Sequence, residues 1–576
     1  MKAYDEKTQT NMVKILFQNR RTSAIFLIFT LAVVIVAPFK SYIMQWLVDS
    51  GDLNRAFLSL GRGLIVVALS HVTEYVSRQT FVGMSAKAVE EIRCRIMRRQ
   101  ASQSMEEYLD GNTGSVLSGL TNDMRVIYDE FYTAIFNLCF WGGMLVVSYI
   151  MLFSISPVIA LASVLMCAAV VMVPRLVAGR ISEARAAYSA DIASYTGRVS
   201  DLLRGFETLM ASGSMQYFLT AHENAAASNR KKEYQLRHSM NTAGILTSLA
   251  VWGPNMVMLF ICVILVFQGK LTIGYLITAN SLLNFVISPC RMVVDAFLKI
   301  KSSRSVREKL EGMMEEKEAS QDGEEQLTSF EEAELSDVRF TYPKAAQETL
   351  HGVGLKLFRG QKMALVGMSG SGKSTMIRLL YRYYGGYQGH VRVNGREAGS
   401  YTRESYYSHV AMIPQTPFIF NDTIYNNLCL YQDYSAKEVE RAVKLSGLEA
   451  YVATQPQGLE TMLTENGRNL SGGQAQRVAI ARALIRGCGL LLVDEATSSL
   501  DVETTDQIMR NLVNLDCAVL VITHDIFGDY MKDFDRIVYL ENGEVSEEGT
   551  FGELLEQNGG FAQLYQLMAG QDGQAG

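Results

Sequence analysis

The sequence has little charge for its length and no strong excess of either sign. Charged residues make up 19% of the 576 residues, and the formal net charge is −6. So small a net charge gives no indication of a nucleic-acid partner. The charged fraction is low for a soluble enzyme, yet too high for a chain that lies wholly in lipid. We therefore expect one part in a membrane and another in water, and the length allows two or three domains.

Paired cysteine motifs are also absent. The eight cysteines are scattered and form no C-x-x-C pair: Cys94, Cys139, Cys167, Cys262, Cys290, Cys429, Cys488 and Cys517. We interpret them as reduced thiols, which form neither a disulfide framework nor a zinc site. The chain shows no internal repeat, no low-complexity tract and no serine- or arginine-rich transit segment. No targeting extension is therefore expected.

Long apolar runs dominate the first 300 residues. A run of about 20 apolar residues can cross the hydrocarbon core as a helix. Six runs have this character: Ser23–Leu47, Ala56–Val82, Phe131–Phe153, Pro157–Ala178, Ala243–Phe267 and Leu271–Leu298. The first run is too long for the core of a signal peptide. Six such runs also argue against the alternative that they are buried helices of a soluble protein.

The spacing of the runs predicts their orientation. Runs one and two, three and four, and five and six are separated by short segments, whereas Gly83–Glu130 and Gly179–Thr242 are long, polar and rich in Arg and Lys. Because positive residues mark the cytoplasmic side, both long loops and both termini should be cytoplasmic. We expect these loops to continue the membrane helices, with short turn helices at Gly111–Asp123 and Gly205–Phe218.

The pattern changes after the last apolar run. We assign residues 1–310 to a membrane domain, residues 311–334 to an acidic linker, and residues 335–576 to a soluble domain. In the soluble part, short β-branched runs alternate with helical ones: Met363–Val366, Leu490–Val493, Ala518–Ile522 and Arg536–Leu540. Such alternation predicts an α/β domain with a parallel sheet. Residues Glu541 to Glu544 read as a hairpin turn.

A phosphate-binding motif follows the first of these strand-like runs. Residues 367–375 read GMSGSGKST and match the P-loop pattern G-x-x-x-x-G-K-[ST] between a strand and a helix. The flanking strand and helix argue against the alternative of a chance glycine-rich turn. Lys373 should pair with the β- and γ-phosphates, and Ser374 should bind Mg²⁺. The predicted nucleotide ligands are Gly367, Ser369, Gly370, Ser371, Gly372, Lys373, Ser374 and Thr375.

Two acids end a second buried strand. The run Leu490–Val493 leads directly into Asp494 and Glu495. Asp494 is placed to hold Mg²⁺, as the acid of a Walker B strand does. Glu495, one residue further, could polarise the attacking water. The alternative, a solvated loop that happens to be acidic, is weakened by the P-loop upstream.

Residues 470–474, LSGGQ, are identical to the signature sequence of ABC transporters. Other family motifs occur in the expected order. Tyr342 resembles the aromatic residue that stacks on adenine, Gln415 the Q-loop glutamine and His524 the switch histidine. The segment from Ser498 to Asp501 resembles the D-loop, and Leu463–Arg468 loosely resembles the stretch that contacts membrane loops in exporters. The chain resembles ABC half-transporters of the exporter fold, which include lipid flippases, multidrug exporters and peptide exporters.

The resemblance implies a mechanism that needs two chains. In this family two ATPase domains meet head to tail, and each ATP lies between the P-loop of one chain and the signature of the other. The signature residues that would reach the partner's ATP are Ser471, Gly472, Gly473 and Gln474. Glu495, His524 and Gln415 would be catalytic, Asp501 would act in the D-loop, and Ser374, Gln415 and Asp494 would hold Mg²⁺. Because all of these family residues are present in this chain, we expect a homodimer, which is a simpler arrangement than a pair of different chains.

Polar residues inside two of the apolar runs are candidates for a substrate cavity. Ionisable groups in membrane helices are costly and often functional. One stripe consists of His71, Glu74 and Arg78, and the other of Asn280, Asn284, Ser288, Arg291 and Asp295. They could line a central cavity, or they could pair across helices and hold the bundle together.

These features lead us to expect ATP-driven export of a peptide or an amphipathic small molecule across a bacterial plasma membrane. A lipid flippase is the alternative, and a siderophore-type importer of the same fold also remains open. Because few residues precede Ser23, we expect no peptidase domain on this chain. The apolar runs argue against a soluble ABC ATPase.

Overall fold

The computed structural model describes residues 11–111, 113–315, 323–343, 345–464, 467–497 and 499–572. The chain divides into two compact units. The first unit comprises Met1–Ala101 and Thr113–Glu315, and the second comprises Ser102–Asn112 and Glu316–Gly576. The short segment Ser102–Asn112 therefore belongs with the second unit, although it lies within the sequence of the first.

Every secondary-structure element in the described residues of the first part of the chain is helical. Its helices are α1 (Met12–Leu16), α2 (Arg20–Val36), α3 (Ile43–Val48), α4 (Leu53–Ser102), α5 (Met105–Asp110), α6 (Thr113–Ser118), α7 (Met124–Val126), α8 (Thr133–Ile155), α9 (Pro157–Arg204), α10 (Phe206–Ala211), α11 (Met215–Phe267), α12 (Ile273–Ser302) and α13 (Arg304–Met314). A 3₁₀ segment, Ala37–Tyr42, joins α2 to α3. Two π-helical turns, Gly119–Asp123 and Ile127–Tyr132, make α6 to α8 continuous.

Three of these helices are far longer than a membrane is thick. Helices α4, α9 and α11 contain 50, 48 and 53 residues. At about 1.5 Å per residue each measures roughly 75 Å, whereas the hydrocarbon core is about 30 Å thick. The expectation that the long polar loops continue the membrane helices is therefore confirmed.

The apolar helices coincide with the runs seen in the sequence. Five helical stretches in the described residues are long and apolar enough to cross a membrane: Arg20–Val48, Leu53–Ser102, Thr113–Ile155, Met215–Phe267 and Ile273–Ser302. A sixth apolar stretch, Pro157–Val173, begins α9 and is shorter. The predicted fold class, a helical membrane domain followed by an α/β domain, is confirmed.

An aromatic cluster packs α2, α4 and α8 together. The Phe81 ring centroid lies 5.2 Å from those of both Phe26 and Phe136. Beside this cluster the Thr30 and Ser77 hydroxyls hydrogen-bond at 2.7 Å. Both hydroxyls are buried, and polar side chains bridging two membrane helices in this way stabilise their association.

One predicted turn helix is misplaced and the other is not. We expected a short helix at Gly111–Asp123, but it lies at α5, Met105–Asp110, and residues from Thr113 onward already belong to the next long helix. The reason is local, because Ser104 caps the start of α5 and the chain becomes extended at Gly111. Helix α10 lies inside the predicted segment Gly205–Phe218.

The second unit contains ten strands and the remaining helices of its described part. The strands are β1 (Glu332–Phe340), β2 (Leu350–Phe358), β3 (Lys362–Gly367), β4 (Gln388–Val393), β5 (Arg396–Glu397), β6 (Val410–Ile413), β7 (Leu490–Asp494), β8 (Ala518–Ile522), β9 (Arg536–Glu541) and β10 (Glu544–Gly549). The helices are α14 (Lys373–Leu380), α15 (Arg403–His409), α16 (Ile424–Cys429), α17 (Ala436–Leu445), α18 (Glu449–Thr454), α19 (Gly472–Leu484), α20 (Val502–Val513), α21 (Phe551–Gln557) and α22 (Gly560–Asp572).

A six-stranded sheet forms the centre of this unit. Its strand order is β10-β9-β3-β8-β7-β6, and every pairing is parallel except that of β10 with β9. All residues of β3, β7 and β8 are buried, as expected for strands covered on both faces. The predicted hairpin is present, and Asn542 and Gly543 both have positive φ (49° and 81°), as a tight type I′ turn requires.

A second sheet was not predicted. It is antiparallel, has four strands, and follows the order β2-β1-β4-β5. Its first strand starts at Glu332, and α13 continues to Met314, so both structures extend into the segment 311–334 that we expected to be a linker. Residues 316–322 of that segment lie outside the described residues. The linker is therefore shorter than its acidic composition suggested.

Candidate functional site

The P-loop connects β3 to α14 in a conformation that depends on glycine. Gly372 caps α14 with φ of +103°, and a Cβ there would lie 2.6 Å from a methyl carbon of Leu350. A residue with a side chain would be both strained and obstructed at this position. The loop consequently turns tightly into the first turn of α14, where free backbone N–H groups favour a bound anion.

Lys373 lies inside this loop. Its side chain is 5% exposed, and its ammonium donates hydrogen bonds to the carbonyl oxygens of Gly367 (2.8 Å) and Met368 (2.9 Å). Burial lowers the pKa of Lys373, while the carboxylates of Glu495 and Asp494 oppose that shift. A buried cation held only by carbonyl oxygens is well placed to bind a phosphate group.

Ser371 supports the same conclusion. Its hydroxyl oxygen is buried and has no hydrogen-bond partner among the described residues. Buried polar groups in native proteins are usually paired, so an unpaired one calls for an explanation. A phosphate oxygen within the loop would satisfy this hydroxyl, and the residues present therefore fit a bound nucleotide.

Ser374 and Asp494 meet at the start of α14. The Ser374 hydroxyl donates to an Asp494 carboxylate oxygen at 2.9 Å, and Asp494 is 2% exposed. Burial raises the pKa of Asp494, and the Ser374 hydrogen bond and the charge of Arg378 oppose this effect. Proteins hold Mg²⁺ with one or two oxygen groups and leave the remaining positions to phosphates and water. This pair fits that arrangement, and the described residues contain no larger group of metal-binding side chains.

Three residues predicted to be catalytic converge on one carboxylate. Glu495 follows β7, Gln415 follows β6 and His524 follows β8, so all three lie at the carboxyl edge of the parallel sheet. The Gln415 amide donates to one Glu495 oxygen at 2.6 Å, and the other oxygen lies 2.8 Å from Nε2 of His524. Both oxygens of the carboxylate are therefore fixed in direction.

The backbone of Glu495 is unusual. Its φ is +51°, in the left-handed region that residues with a side chain seldom adopt. Its N–H donates to the Ile522 carbonyl at 3.2 Å, which anchors the residue to β8. Strained backbone of this kind clusters at functional sites, where the surrounding structure holds it in place.

Tyr342 lies beside the first turn of α14. Its hydroxyl and that of Thr375 hydrogen-bond at 2.9 Å, and its ring packs edge-on against Tyr384 with the centroids 5.3 Å apart. The structure thus brings the predicted adenine-stacking residue next to a predicted P-loop ligand. Thr375 is 4% exposed, and its hydroxyl is engaged by this contact.

The signature residues begin α19. Ser471 caps this helix, and Ser471 and Gln474 form a reciprocal capping box. A Cβ on Gly473 would lie 3.0 Å from the Ser499 carbonyl oxygen, so a side chain there would be crowded against the backbone. Within the described residues, no hydrogen bond links Ser471–Gln474 to the P-loop. Ser471 and Gly472 are exposed.

The D-loop residue Asp501 has a structural role in this chain. It caps α20 by accepting a hydrogen bond from the Thr504 N–H at 2.9 Å, and this bond lowers the pKa of Asp501. Ser498, the first residue of the predicted D-loop, lies outside the described residues. So do residues 465 and 466 of the stretch Leu463–Arg468 that we expected to contact membrane loops.

The two polar stripes of the membrane helices differ in their partners. On α4, Glu74 and Arg78 form an ion pair at 2.9 Å, and the Arg78 guanidinium also lies over the Phe140 ring at 5.2 Å. His71 on the same helix is exposed. On α12, Asp295 pairs with Lys299 at 3.2 Å. Each of these ion pairs lies within one helix. Neither is a pair between helices, which was the alternative that we had considered.

The remaining α12 candidates form no ion pair within the residues that the structure describes. Asn284, Ser288 and Arg291 are exposed in the described chain, and Asn280 is half-buried. Exposed polar groups on a membrane helix need water, a second chain or a polar ligand around them. Their exposure is therefore compatible with a lining role, which stays a prediction.

Helix α5 is a feature that the motifs missed. The Glu106 carboxylate accepts a hydrogen bond from the Gly385 N–H at 3.0 Å. Met105 and Glu106 line a cleft of about 190 Å³ together with Tyr383, Tyr384 and other residues of the same unit. The sequence did contain a signal, because Ser104 and Glu107 match the capping pattern S-x-x-E at a helix start.

Arg482 was also missed. From α19 its guanidinium donates to the Asn427 carbonyl at 2.8 Å and to the Phe418 carbonyl at 2.9 Å. It therefore attaches the segment that follows Gln415 to the signature helix. No sequence motif marks this residue, since it lies in the middle of a helix.

The fold and this site together define a membrane protein that carries a P-loop ATPase domain. Residues 22–290 match the family described as ABC transporter transmembrane region, and residues 350–498 match the family described as ABC transporter. The chain belongs to the ABC transporters, and it is a half-transporter of the exporter type, with one membrane domain and one ATPase domain.

Known relatives cover nearly the whole chain. An ATP-dependent lipid A-core flippase of Salmonella typhimurium is 27% identical over 543 residues, which is 92% of this chain and 93% of the relative. The flippase of the same description from Escherichia coli (strain K12) is 27% identical over 514 residues, 88% of each chain. A bacterial Atm1-family ABC exporter, solved with ATP bound, superposes with a TM-score of 0.79 at 25% identity and covers 96% of this chain and 98% of its own.

The chain is accordingly a multi-pass membrane protein that binds ATP and couples its hydrolysis to transport.

Proposed function

We propose that this chain exports an amphipathic compound across a bacterial plasma membrane, as a homodimer powered by Mg-ATP. The observation that carries the proposal is a set of three side-chain hydrogen bonds at the carboxyl edge of the parallel sheet. Ser374 meets Asp494, and Gln415 and His524 hold the carboxylate of Glu495. This arrangement lies in a chain whose other half consists of apolar helices.

The residues of the site divide the work of phosphoryl transfer. Lys373 and the loop N–H groups hold the phosphates, and the Glu495 carboxylate accepts the proton of the attacking water. Gln415 and His524 fix the direction of that carboxylate, so the base is oriented before the reaction. Mg²⁺, held by the oxygens of Ser374 and Asp494, would neutralise charge on the phosphates.

The exposed position of the signature supports dimerisation. Ser471 and Gly472 are exposed at the start of α19, a 13-residue helix whose N-terminus favours an anion. They make no hydrogen bond to the P-loop of their own chain within the described residues. We propose that they serve the ATP of a second copy, because each catalytic residue expected of a competent site is present in this sequence.

The substrate class is inferred from the membrane helices. Exposed polar groups, among them His71, Arg78 and Arg291, occur on helices that are otherwise apolar. A binding surface with basic and apolar parts suits a molecule that has an apolar body and an anionic group, and we propose a peptide or small compound of this kind. The N-terminus and the ATPase domain would lie in the cytoplasm, as the basic loops predict.

A lipid is the second candidate. The observation that favours it is the similarity, over about nine-tenths of the chain, to proteins described as lipid A-core flippases. A lipid shares the required chemistry, since it has an anionic head and an apolar body. Export is favoured over the siderophore-type import that we had left open, because the relatives are flippases and an exporter.

The test is ATP hydrolysis by the purified full chain in lipid bilayers. Mg-ATP turnover is measured alone and then with peptides, with amphipathic drugs and with anionic lipids, and the Glu495→Gln variant provides the blank. The proposal expects turnover by this chain alone and stimulation by peptides or drugs. Stimulation by lipid only would establish the second candidate.

Two further results would count against the proposal. If the chain is inactive with every compound and equals its Glu495→Gln variant, a different partner chain is required and the homodimer is wrong. If activity is present but Arg78→Ala and Arg291→Ala leave stimulation unchanged, these residues do not recognise the substrate.

A further inference from the structure

Two cysteines that are distant in the sequence precede neighbouring strands of the ATPase unit. Cys488 precedes β7 and Cys517 precedes β8, and these two strands are parallel neighbours with Leu490 opposite Ala518. The Ala518 N–H donates to the Gly489 carbonyl at 2.9 Å, so the pairing extends to the strand entrances. As a result, Cys488 and Cys517 lie at the adjacent entrances of these two strands.

Both cysteines line one cleft. The cleft has a volume of about 430 Å³, and its lining includes Cys488, Cys517, Arg359 and Arg441. Both cysteines are half-buried, and neither lies in a disulfide. A small reagent can therefore enter the cleft that both residues line.

The surroundings of Cys517 favour its thiolate. The Lys362 ammonium donates to the backbone carbonyls of Cys517 and Leu515, which places its charge beside this thiol. The hydrogen bond from Cys488 lowers the pKa of Cys517, burial opposes the shift, and the Lys362 charge adds to the lowering. The same hydrogen bond raises the pKa of Cys488. A pair with one activated thiol and one resolving thiol suits exchange with a disulfide.

We propose that Cys488 and Cys517 form a thiol–disulfide exchange site, which small organic disulfides oxidise to a reversible intrachain disulfide. The cleft admits the reagent, and the two cysteines lie at neighbouring strand entrances, where their side chains can be joined. The product would join the entrances of β7 and β8, the two strands that lead to Glu495 and His524.

The reaction balances with a small disulfide as the oxidant. The Cys517 thiolate attacks one sulfur of the reagent, the S–S bond of the reagent breaks, and the first small thiolate leaves. The Cys488 thiolate then attacks the Cys517 sulfur and expels the second small thiolate. The two protons of the cysteines pass to the two small thiols. The protein pair loses two electrons, and the reagent gains them.

The test uses the full chain in detergent or lipid, treated with bis(2-hydroxyethyl) disulfide, alkylated and digested with trypsin. Cleavage after Arg486, Arg510 and Lys532 places the two cysteines on separate peptides, residues 487–510 and 511–532. The proposal expects these peptides to appear linked, with a mass two hydrogens below their sum, and to separate again after dithiothreitol. The Cys488→Ser variant should instead trap the reagent on Cys517.

The exposed Cys94 on α4 supplies the matched control. It should carry the reagent as a mixed disulfide, and the Cys94→Ser variant should still give the linked peptides. The proposal is overturned if Cys94 reacts while Cys488 and Cys517 are both still alkylated. It is also overturned if the wild-type chain carries separate mixed disulfides at Cys488 and Cys517. Neither outcome depends on which substrate the chain transports.

Discussion

Removing the hydroxyl of Ser374 should weaken the binding of Mg²⁺ more than that of ATP. In Ser374→Ala the 2.9 Å hydrogen bond to Asp494 is lost, and this carboxylate is 2% exposed, so water cannot replace the donor. A hydrogen bond to a charged partner contributes about 1.5–3 kcal/mol. Since about 1.4 kcal/mol corresponds to a tenfold change, the Mg²⁺ concentration for half-maximal hydrolysis should rise about 10- to 100-fold.

The assay is phosphate release at fixed ATP with Mg²⁺ as the titrant. ATP binding without Mg²⁺ should be nearly unchanged, because Lys373 and the loop N–H groups remain. Ser374→Thr is the matched control, since it keeps the hydroxyl and still fits the P-loop pattern. An unchanged Mg²⁺ dependence in Ser374→Ala would refute the assignment. Loss of ATP binding without Mg²⁺ would show that the loop itself had collapsed.

Three further substitutions test other contacts. Glu495→Gln should lower turnover by about 10²- to 10⁴-fold with ATP binding retained, because the general base is lost. The control Glu503→Gln, on the exposed start of α20, should have no effect on turnover. Equal rates in the two variants would contradict the role of Glu495. Glu106→Ala should reduce stimulation by substrate and spare basal turnover, and Glu106→Gln, which keeps an acceptor for the Gly385 N–H, should restore it. Tyr406→Phe should reduce the free energy of unfolding by about 1–3 kcal/mol in chemical denaturation, because the Leu380 carbonyl loses its buried donor. An unchanged midpoint would show that this carbonyl finds another partner.

The parts of the site that the sequence predicted are local. The P-loop occupies nine consecutive residues between a strand and a helix, and Asp494 directly follows four buried apolar residues. In these segments the strand, the turn and the functional side chain are all specified within a few residues. The Asn542–Gly543 turn is equally local, because it depends on two positive φ angles.

The four-stranded sheet was missed because its first strand is half exposed. Strand β1 alternates buried residues with half-buried or exposed ones, and the latter include Glu332 and Glu334, which we interpreted as part of an acidic linker. The alternation was visible, but charge outweighed it in our interpretation. The position of α5 was missed because both of its ends are set by the caps at Ser104 and Gly111. A hydropathy pattern does not show such caps.

Contacts between residues that are distant in the chain could not be predicted from the sequence. Gln415 and Glu495 are 80 residues apart, and Glu495 and His524 are 29 apart, yet all three side chains touch. Their contact depends on β6, β7 and β8 being neighbours in register, which requires the strand order of the sheet. The same order brings Cys488 to Cys517, although single cysteines in a sequence carry no sign of their partners.

The great length of α4, α9 and α11 has a mechanical consequence. Helix α4, with 50 residues and no proline, is a continuous rod roughly 75 Å long, with its hydrogen bonds satisfied along its own axis. A tilt of about 5° at one end of such a rod displaces the other end by about 6 Å, close to one helical turn. A small angular change at one end of such a helix can thus become a large displacement at its other end, without any residue changing its secondary structure.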